Sequence, residues 1–165
     1  MTTNTRGPDD FTSYDGGGDS LRRAVLAGFC SRFLPGSHPV HIGASEAAQA
    51  FVDRPRLRAL GVVTAAPDPM PTLMVHDARR NWLVLIEVVP SHDPIDARRL
   101  RDLSASFADS TAALVFVTAF ATRTAYARLS ERVAWGTHVW TADAPDHLVH
   151  LDAGPLFEGR RLPGR

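Results

Sequence analysis

The sequence places one acidic side chain inside an apolar run. The run extends from Trp82 to Val89, and Glu87 is its only charged member. Such a run predicts a strand buried on both faces, where an unpaired carboxylate costs several kcal/mol. Glu87 therefore needs a partner. An arginine or a backbone donor would serve, and so would a divalent metal ion, because hard cations prefer carboxylate oxygens.

The segment around Glu87 predicts a β-hairpin. Residues 71–89 form two apolar stretches joined by a polar turn at 77–81. Upstream, the pattern predicts a helix that Ser20 caps, a strand at 40–43 and a short helix that Asp53 and Pro55 open. Downstream, it predicts a helix from Asp93 to about residue 108, a strand at 112–120, a helix at 122–133 and strands at 137–141 and 147–151. Strands that alternate with helices indicate a sheet with a parallel portion, flanked by helices.

Composition limits the function classes. A chain of 165 residues, 44% of them hydrophobic, has room for one domain. Its 18 basic and 18 acidic residues cancel, so no net field attracts nucleic acid or membrane. Every basic residue is arginine, so no lysine can act in catalysis. Cys30 has no disulfide partner within the chain and falls in a helical apolar pattern, so we expect a core thiol.

The two ends differ from the middle of the chain. Residues 1–19 contain three consecutive glycines and few large apolar groups, so they predict a disordered tail. We assign 20–160 to a single domain and 161–165 to a loose end. Neither a signal peptide nor a membrane-spanning run is expected, which favours a cytoplasmic protein.

Two further clusters allow competing interpretations. One predicted helix carries three arginines, Arg98, Arg99 and Arg101. They form either a solvated face or a face that contacts phosphates. His138 and His147 flank a predicted turn, with His150 nearby, and could meet across it. A metal site there would lack an acidic or cysteine partner at a fixed spacing, so core or surface histidines are the simpler interpretation.

Several ordered motifs resemble the C-terminal domain of the BsuBI/PstI type II restriction endonucleases. The motifs are NWLVLIEVVPSHDP at 81–94, LVFVTAF at 114–120, VAW at 133–135, ADAPDHLVH at 142–150, RFLPG at 32–36 and LGV at 60–62. The resemblance implies the restriction-endonuclease-like fold, an α/β mixed sheet flanked by helices, of the PD-(D/E)xK nucleases. It also implies Mg²⁺-dependent cleavage of duplex DNA, with acids on neighbouring strands that hold the metal and a lysine that stabilises hydroxide.

The sequence departs from that family at its charged positions. Thr72 stands where the resemblance implies the first acidic ligand, and the upstream segment 43–48, with the sequence GASEAA, lacks both the Asp and the Lys that the resemblance implies. Glu87 remains, with Ser91 and His92 nearby. Glu46 is a candidate substitute metal ligand, and Arg98 a candidate substitute for the lysine, although arginine does not readily release a proton.

Three functions follow from this pattern. The first is an active Mg²⁺-dependent endonuclease that cuts duplex DNA, as a symmetric homodimer on a palindromic site and paired with a methyltransferase. The second is a catalytically degraded homologue that still binds DNA or a partner, and that needs no cofactor. The third is a remnant of a decayed restriction system. The apolar strands and helix caps agree with one another, which favours the second.

Overall fold

A seven-stranded mixed sheet forms the centre of the fold. The computed structural model describes residues 18–46, 48–63, 70–90 and 92–151. The strands are β1 (His38–Ile42), β2 (Phe51–Val52), β3 (Leu73–Asp77), β4 (Trp82–Val88), β5 (Ala113–Phe120), β6 (Thr137–Thr141) and β7 (Leu148–Leu151). The α-helices are α1 (Gly18–Ala24), α2 (Ser31–Phe33), α3 (Arg54–Ala59), α4 (Ala97–Ser106) and α5 (Arg123–Leu129). A π-helical segment, Val25–Cys30, joins α1 to α2, and a 3₁₀ turn, Ser130–Arg132, follows α5.

The strand order across the sheet is β2-β1-β3-β4-β5-β6-β7. Strands β4, β5 and β6 are parallel neighbours, whereas the pairs on either side of them are antiparallel. The predicted α/β mixed sheet flanked by helices is therefore confirmed. Strand β4 lies at the middle of the sheet, with the hairpin partner β3 on one side and the parallel strand β5 on the other.

Each face of the sheet carries its own core. The helical segment from α1 to α2 covers one face, where Val25 and Phe29 share a core with Trp140, Val75 of β3 and Val84 of β4. Helices α3 and α4 cover the other face, where Leu57 and Leu103 are buried. Burial on both faces explains why every residue of β4 except Glu87 is apolar. Because a charge on this strand has no route to water through the sheet, a partner must come from a neighbouring element.

The structure agrees with most predicted elements. The central hairpin, the strand at 137–141 and the helix that Asp53 opens are present, and the Asp53 side chain accepts a hydrogen bond from the Arg56 N–H. Gly61 follows that helix at a positive φ of 76°, and an added Cβ would lie 2.5 Å from the Asp109 carbonyl oxygen. Cys30 is buried, as expected, and burial raises the pKa of its thiol to about 12.

One helix begins later than its sequence suggested. Asp93 and Pro94 were predicted to start it, but α4 starts at Ala97, with Asp96 as the N-cap. The reason is that Ile95 is fully buried, and its N–H donates to the Thr118 hydroxyl before the helix begins. Asp93 instead pairs with Arg132, at 3.1 Å.

Other differences lie near the amino-terminal end of the domain. Ser20 was predicted as a cap, but α1 already includes Gly18, so Ser20 lies inside the helix. Asp19, assigned to the disordered tail, belongs to α1 and accepts a hydrogen bond from Ser45. The two-residue strand β2 was not predicted. The remainder of the predicted tail, 1–17, and the predicted loose end, 161–165, lie outside the described residues.

Candidate functional site

Glu87 is a fully enclosed carboxylate near the end of β4. Its side chain is only 1% exposed. One oxygen, Oε2, accepts hydrogen bonds from the backbone N–H of Thr72 at 3.1 Å and from its hydroxyl at 2.7 Å. The other oxygen, Oε1, accepts from Nε and Nη2 of Arg99 at 2.9 and 2.5 Å. Four donors therefore satisfy both oxygens, and a guanidinium neutralises the charge.

The helix cap at Asp96 brings Arg99 to this carboxylate. The Asp96 side chain accepts from the Arg99 N–H at 2.7 Å, which fixes Arg99 in the first turn of α4. The Arg99 side chain is 20% exposed, and its Nη2 also reaches the Met70 carbonyl at 3.4 Å. The sequence had suggested Arg98 as a substitute for the lysine that the resemblance implies, and had left the partner of Glu87 open between an arginine, a backbone donor and a metal ion. Arg98 is instead 85% exposed and pairs with Asp102, so Arg99 is the arginine that contacts Glu87.

Thr72 connects Glu87 to a histidine at the surface. Its hydroxyl has one proton, which goes to the Glu87 carboxylate, because an ionised carboxylate only accepts. The same oxygen must then accept from the Val88 N–H at 3.2 Å and from Nδ1 of His92 at 3.0 Å. Donor counting thus assigns a proton to Nδ1 of His92, whose side chain is 49% exposed. The predicted positions Thr72, Glu87 and His92 form one hydrogen-bonded chain.

Two buried side chains beside these hydrogen-bonded residues were not predicted from the sequence. His41 of β1 is 6% exposed, and Arg22 of α1 is 8% exposed. Burial lowers the pKa of His41; a hydrogen bond to the Pro71 backbone carbonyl and the charge of Glu87 oppose that shift, and Arg22 adds to it. The signal available in the sequence was a histidine within an otherwise apolar short strand.

Arg22 ties the first helix to the end of β1. Its Nη1 donates to the carbonyl oxygens of Gly43 and Ala44 at 2.8 and 3.1 Å. At Gly43, an added Cβ would lie 3.2 Å from the Thr72 carbonyl oxygen, which accepts the Gly43 N–H at 2.8 Å. The close approach of the two strands here favours glycine and holds Thr72 next to Glu87.

The remaining predicted residues contribute less to this cluster. Glu46 is exposed in the segment after β1, and Ser91 lies outside the described residues. The sequence left open whether His138 meets His147 across the turn; the ring that lies beside His138 is that of His150. In the described part of the chain, no group of three or more His, Cys, Asp and Glu side chains is placed to hold a metal ion.

These residues do not fit a Mg²⁺ ion. Mg²⁺ requires near-octahedral oxygen coordination and is usually held by one or two carboxylates. Here the carboxylate of Glu87 is bonded to a guanidinium through one oxygen and to Thr72 through the other. The Thr72 hydroxyl is neutral and already makes three contacts. Glu87 therefore forms a salt bridge whose carboxylate oxygens are already occupied, and it is not an open cation site.

The fold and the motif positions define a restriction endonuclease domain. The family model for the BsuBI/PstI restriction endonuclease domain matches residues 9–154. The chain therefore belongs to the BsuBI/PstI restriction endonuclease family, and the resemblance drawn from the motifs is confirmed.

Individual relatives agree with this assignment. The chain is 39% identical to the type II restriction enzyme BsuBI of Bacillus subtilis over 139 residues, which is 84% of this chain and 44% of that enzyme. It is 28% identical to the type II restriction enzyme AplI of Arthrospira platensis over 82 residues, 50% of this chain and 25% of AplI. The solved structure of the SdaI restriction endonuclease matches 90% of this chain and 45% of its own, with 35% identity and a TM-score of 0.79. The chain thus spans less than half the length of these relatives.

Proposed function

We propose that this chain is a duplex-DNA-binding domain of the restriction endonuclease fold that does not cleave DNA. The observation that supports the proposal most directly is the salt bridge between Glu87 and Arg99 at 2.5 Å, in a carboxylate that is 1% exposed. The ion pair occupies the position where the resemblance implies a metal ligand. A catalytically degraded relative of type II restriction enzymes is the function that this arrangement favours.

The cost of separating the buried ion pair explains why a metal ion would not displace Arg99 from Glu87. To free Oε1 for a cation, the Arg99 guanidinium must leave a contact that is largely shielded from water. Separating a buried ion pair costs several kcal/mol, because each charge loses its partner in a medium of low polarity. The incoming ion would gain one carboxylate and a neutral hydroxyl. Exchange of the arginine for Mg²⁺ is therefore unfavourable.

DNA binding rests on the class of the relatives and on exposed arginines. Restriction enzymes act on duplex DNA, and α4 presents Arg98 and Arg101 to solvent next to the turn that carries Arg99. Arginine guanidinium groups match phosphate geometry and need no base contact to bind the backbone. We propose that these two side chains contact DNA phosphates.

An active Mg²⁺-dependent endonuclease is the second candidate. The identity of 39% with BsuBI across 84% of the chain favours it. On this alternative, DNA binding would have to displace Arg99 from Glu87 and bring a further acid, such as Glu46, to the metal. A homodimer and a companion DNA methyltransferase, both expected from the sequence, belong with this candidate.

A cleavage assay separates the two candidates. The protein is incubated with mixed plasmid DNA in Mg²⁺ or Mn²⁺, beside Glu87→Gln and Asp77→Asn. Asp77 is a matched control, because it is also a 1% exposed carboxylate paired with an arginine. We expect no cutting by any of the three proteins. Cutting by the wild type and Asp77→Asn that is lost in Glu87→Gln would establish the endonuclease instead.

Binding is measured separately from cleavage. We expect fluorescence anisotropy of a labelled duplex to report binding that weakens steeply with salt, because phosphate contacts release counterions. Replacing Arg98 and Arg101 by alanine should reduce the salt slope by about one contact per arginine. Duplex binding that changes neither with salt concentration nor with the two substitutions would contradict the DNA-binding proposal.

A further inference from the structure

Two histidines stand side by side at the far end of the sheet from β2. His138 of β6 and His150 of β7 are direct cross-strand partners. Side chains of directly opposite residues project from the same face of the sheet, with Cβ atoms about 4.5–5.5 Å apart. The two ring centroids are 4.7 Å apart, and the rings are inclined at 80°. The strand pairing thus holds two imidazoles together without help from a loop.

The hydrogen bond of His138 fixes which ring nitrogen is available. Its Nδ1 lies 3.2 Å from the carbonyl oxygen of Phe116. A carbonyl oxygen only accepts, so Nδ1 carries the proton and Nε2 keeps its lone pair. Metal-binding histidines commonly donate their other ring N–H to a backbone carbonyl in this way, which orients the ring.

The surroundings keep His138 in its neutral form. Burial lowers the pKa of His138, the hydrogen bond to Phe116 partly opposes that shift, and the neighbouring His150 lowers the pKa further. Only the neutral imidazole binds a metal ion, because protonation removes the lone pair. The lowered pKa favours the form of His138 that a metal ion requires.

Both rings line a cavity of about 460 Å³ between the sheet and the end of the first helical segment. Phe33, Trp82 and Val117 provide apolar wall, and Arg80 also borders the space. The Arg80 guanidinium is paired with Asp77 at 2.7 Å, so its charge is offset. A group bound between the two histidines would face a largely apolar space that can hold a second ligand.

We propose that His138 and His150 form a two-imidazole site for a divalent first-row transition-metal ion such as Zn²⁺, Ni²⁺ or Cu²⁺. Imidazole nitrogens suit these ions, whereas Mg²⁺ prefers oxygen ligands. With metal–nitrogen distances of about 2.0–2.1 Å, two imidazoles at a tetrahedral ion have centroids about 5 Å apart. The observed ring spacing is close to that value. The ion would keep open positions for water or for a ligand that extends into the cavity.

Titration calorimetry of the full chain with NiCl₂ tests the site. We expect one equivalent to bind, and the midpoint of thermal unfolding to rise with Ni²⁺ and not with Mg²⁺. His150→Phe keeps an aromatic ring beside His138 but removes the nitrogen, so it should abolish both effects. His147→Phe, at an exposed position immediately before β7, is the matched control and should keep them. Circular dichroism checks that both variants fold.

Copper supplies a readout that counts the ligands. The electron paramagnetic resonance spectrum of bound Cu²⁺ should show coupling to two imidazole nitrogens in the wild type and in His147→Phe. The proposal is overturned if the wild type shows no saturable Ni²⁺ binding. It is equally overturned if His150→Phe binds as the wild type does, or if His147→Phe loses binding to the same extent.

Discussion

Two buried carboxylates at opposite ends of the central hairpin both accept hydrogen bonds from an arginine and from backbone groups, but their donors come from different parts of the fold. Asp77 ends β3, and Glu87 lies near the end of β4; each side chain is 1% exposed and each is paired with an arginine. Asp77 takes all its donors from the adjoining turn: the N–H groups of Arg79 and Arg80, and the Arg80 guanidinium. Glu87 takes its donors from Thr72, the residue just before β3, and from Arg99 of α4.

The difference shows how far each carboxylate depends on the tertiary fold. The partners of Asp77 are two and three residues away, so a turn that forms locally would already supply them. The partners of Glu87 are 15 and 12 residues away, and they meet it only once the hairpin and α4 have docked. Arg80 is also 44% exposed, against 20% for Arg99. We therefore expect loss of the arginine partner to lower the free energy of unfolding more at Glu87 than at Asp77.

Removal of each arginine should give the largest contrast. Arg99→Ala leaves Glu87 buried without its counter-charge, which should lower the free energy of unfolding by about 3–5 kcal/mol. Arg80→Ala leaves Asp77 with its two backbone donors and removes a half-exposed ion pair, at a cost of about 1 kcal/mol or less. Urea denaturation of both variants measures the difference. Equal losses would show that the two carboxylates are held alike.

Removal of the Thr72 hydroxyl tests the other half of the Glu87 cluster. Thr72→Val keeps the shape but takes one donor from Glu87 and one acceptor from the Val88 N–H. We expect a loss of about 1–3 kcal/mol, because buried polar groups are left unpaired. Thr72→Ser retains the hydroxyl and should recover most of the loss. If Thr72→Ser and Thr72→Val lower the free energy of unfolding equally, methyl packing and not hydrogen bonding explains the contribution of Thr72 to stability.

Acid titration tests how the hydrogen bonds to Asp77 stabilise the fold. Burial raises the pKa of Asp77, but hydrogen bonds from the Arg80 side chain and from the Arg80 and Arg79 backbone outweigh it, and the net pKa is below 3.8. A carboxyl with a lowered pKa stabilises the fold above pH 3.8 and loses that contribution as the pH falls through the folded-state value. Asp77→Asn should therefore be less stable at pH 7 and lose less stability below pH 3.8. Parallel pH profiles for the two proteins would contradict this assignment.

Salt should produce the smallest effect. Raising ionic strength from about 0.1 to 1 M shortens the screening length from about 10 to 3 Å, and exposed pairs respond more than buried ones. The cost of Arg80→Ala should fall by a few tenths of a kcal/mol, about the worth of an exposed pair, whereas the cost of Arg99→Ala should hardly change. Paired denaturation series at the two salt concentrations measure this. A larger salt response for Arg99→Ala would indicate that water reaches Glu87.

Much of the scaffold followed from short-range patterns in the chain. The apolar run of β4 and the polar turn at 77–81 predicted the hairpin, and the alternation of helices and strands predicted the parallel portion of the sheet. These features depend on hydrophobic spacing over a few residues, which the sequence displays directly. The need of Glu87 for a partner was also evident, because a charge in an apolar strand must be compensated.

The identity of that partner could not be predicted in the same way. With the helix start shifted from Asp93 to Asp96, Arg99 lies in the first turn of α4 and contacts Glu87, whereas Arg98 is exposed and pairs with Asp102. Burial of Ile95 sets that shift, and burial depends on contacts with β5 and with the segment after α5. His41 and His150 were likewise placed by strand register, which pairs residues distant in the chain.

The sequence by itself determined that an acid would lie inside a central strand and that no lysine would stand beside it, because composition and spacing carry that information. Only the tertiary structure decided that Arg99 and Thr72 close around Glu87, and that His138 and His150 face each other. Both outcomes follow from the relative placement of elements that pack together, and small shifts in helix start or strand register would exchange one neighbouring side chain for another.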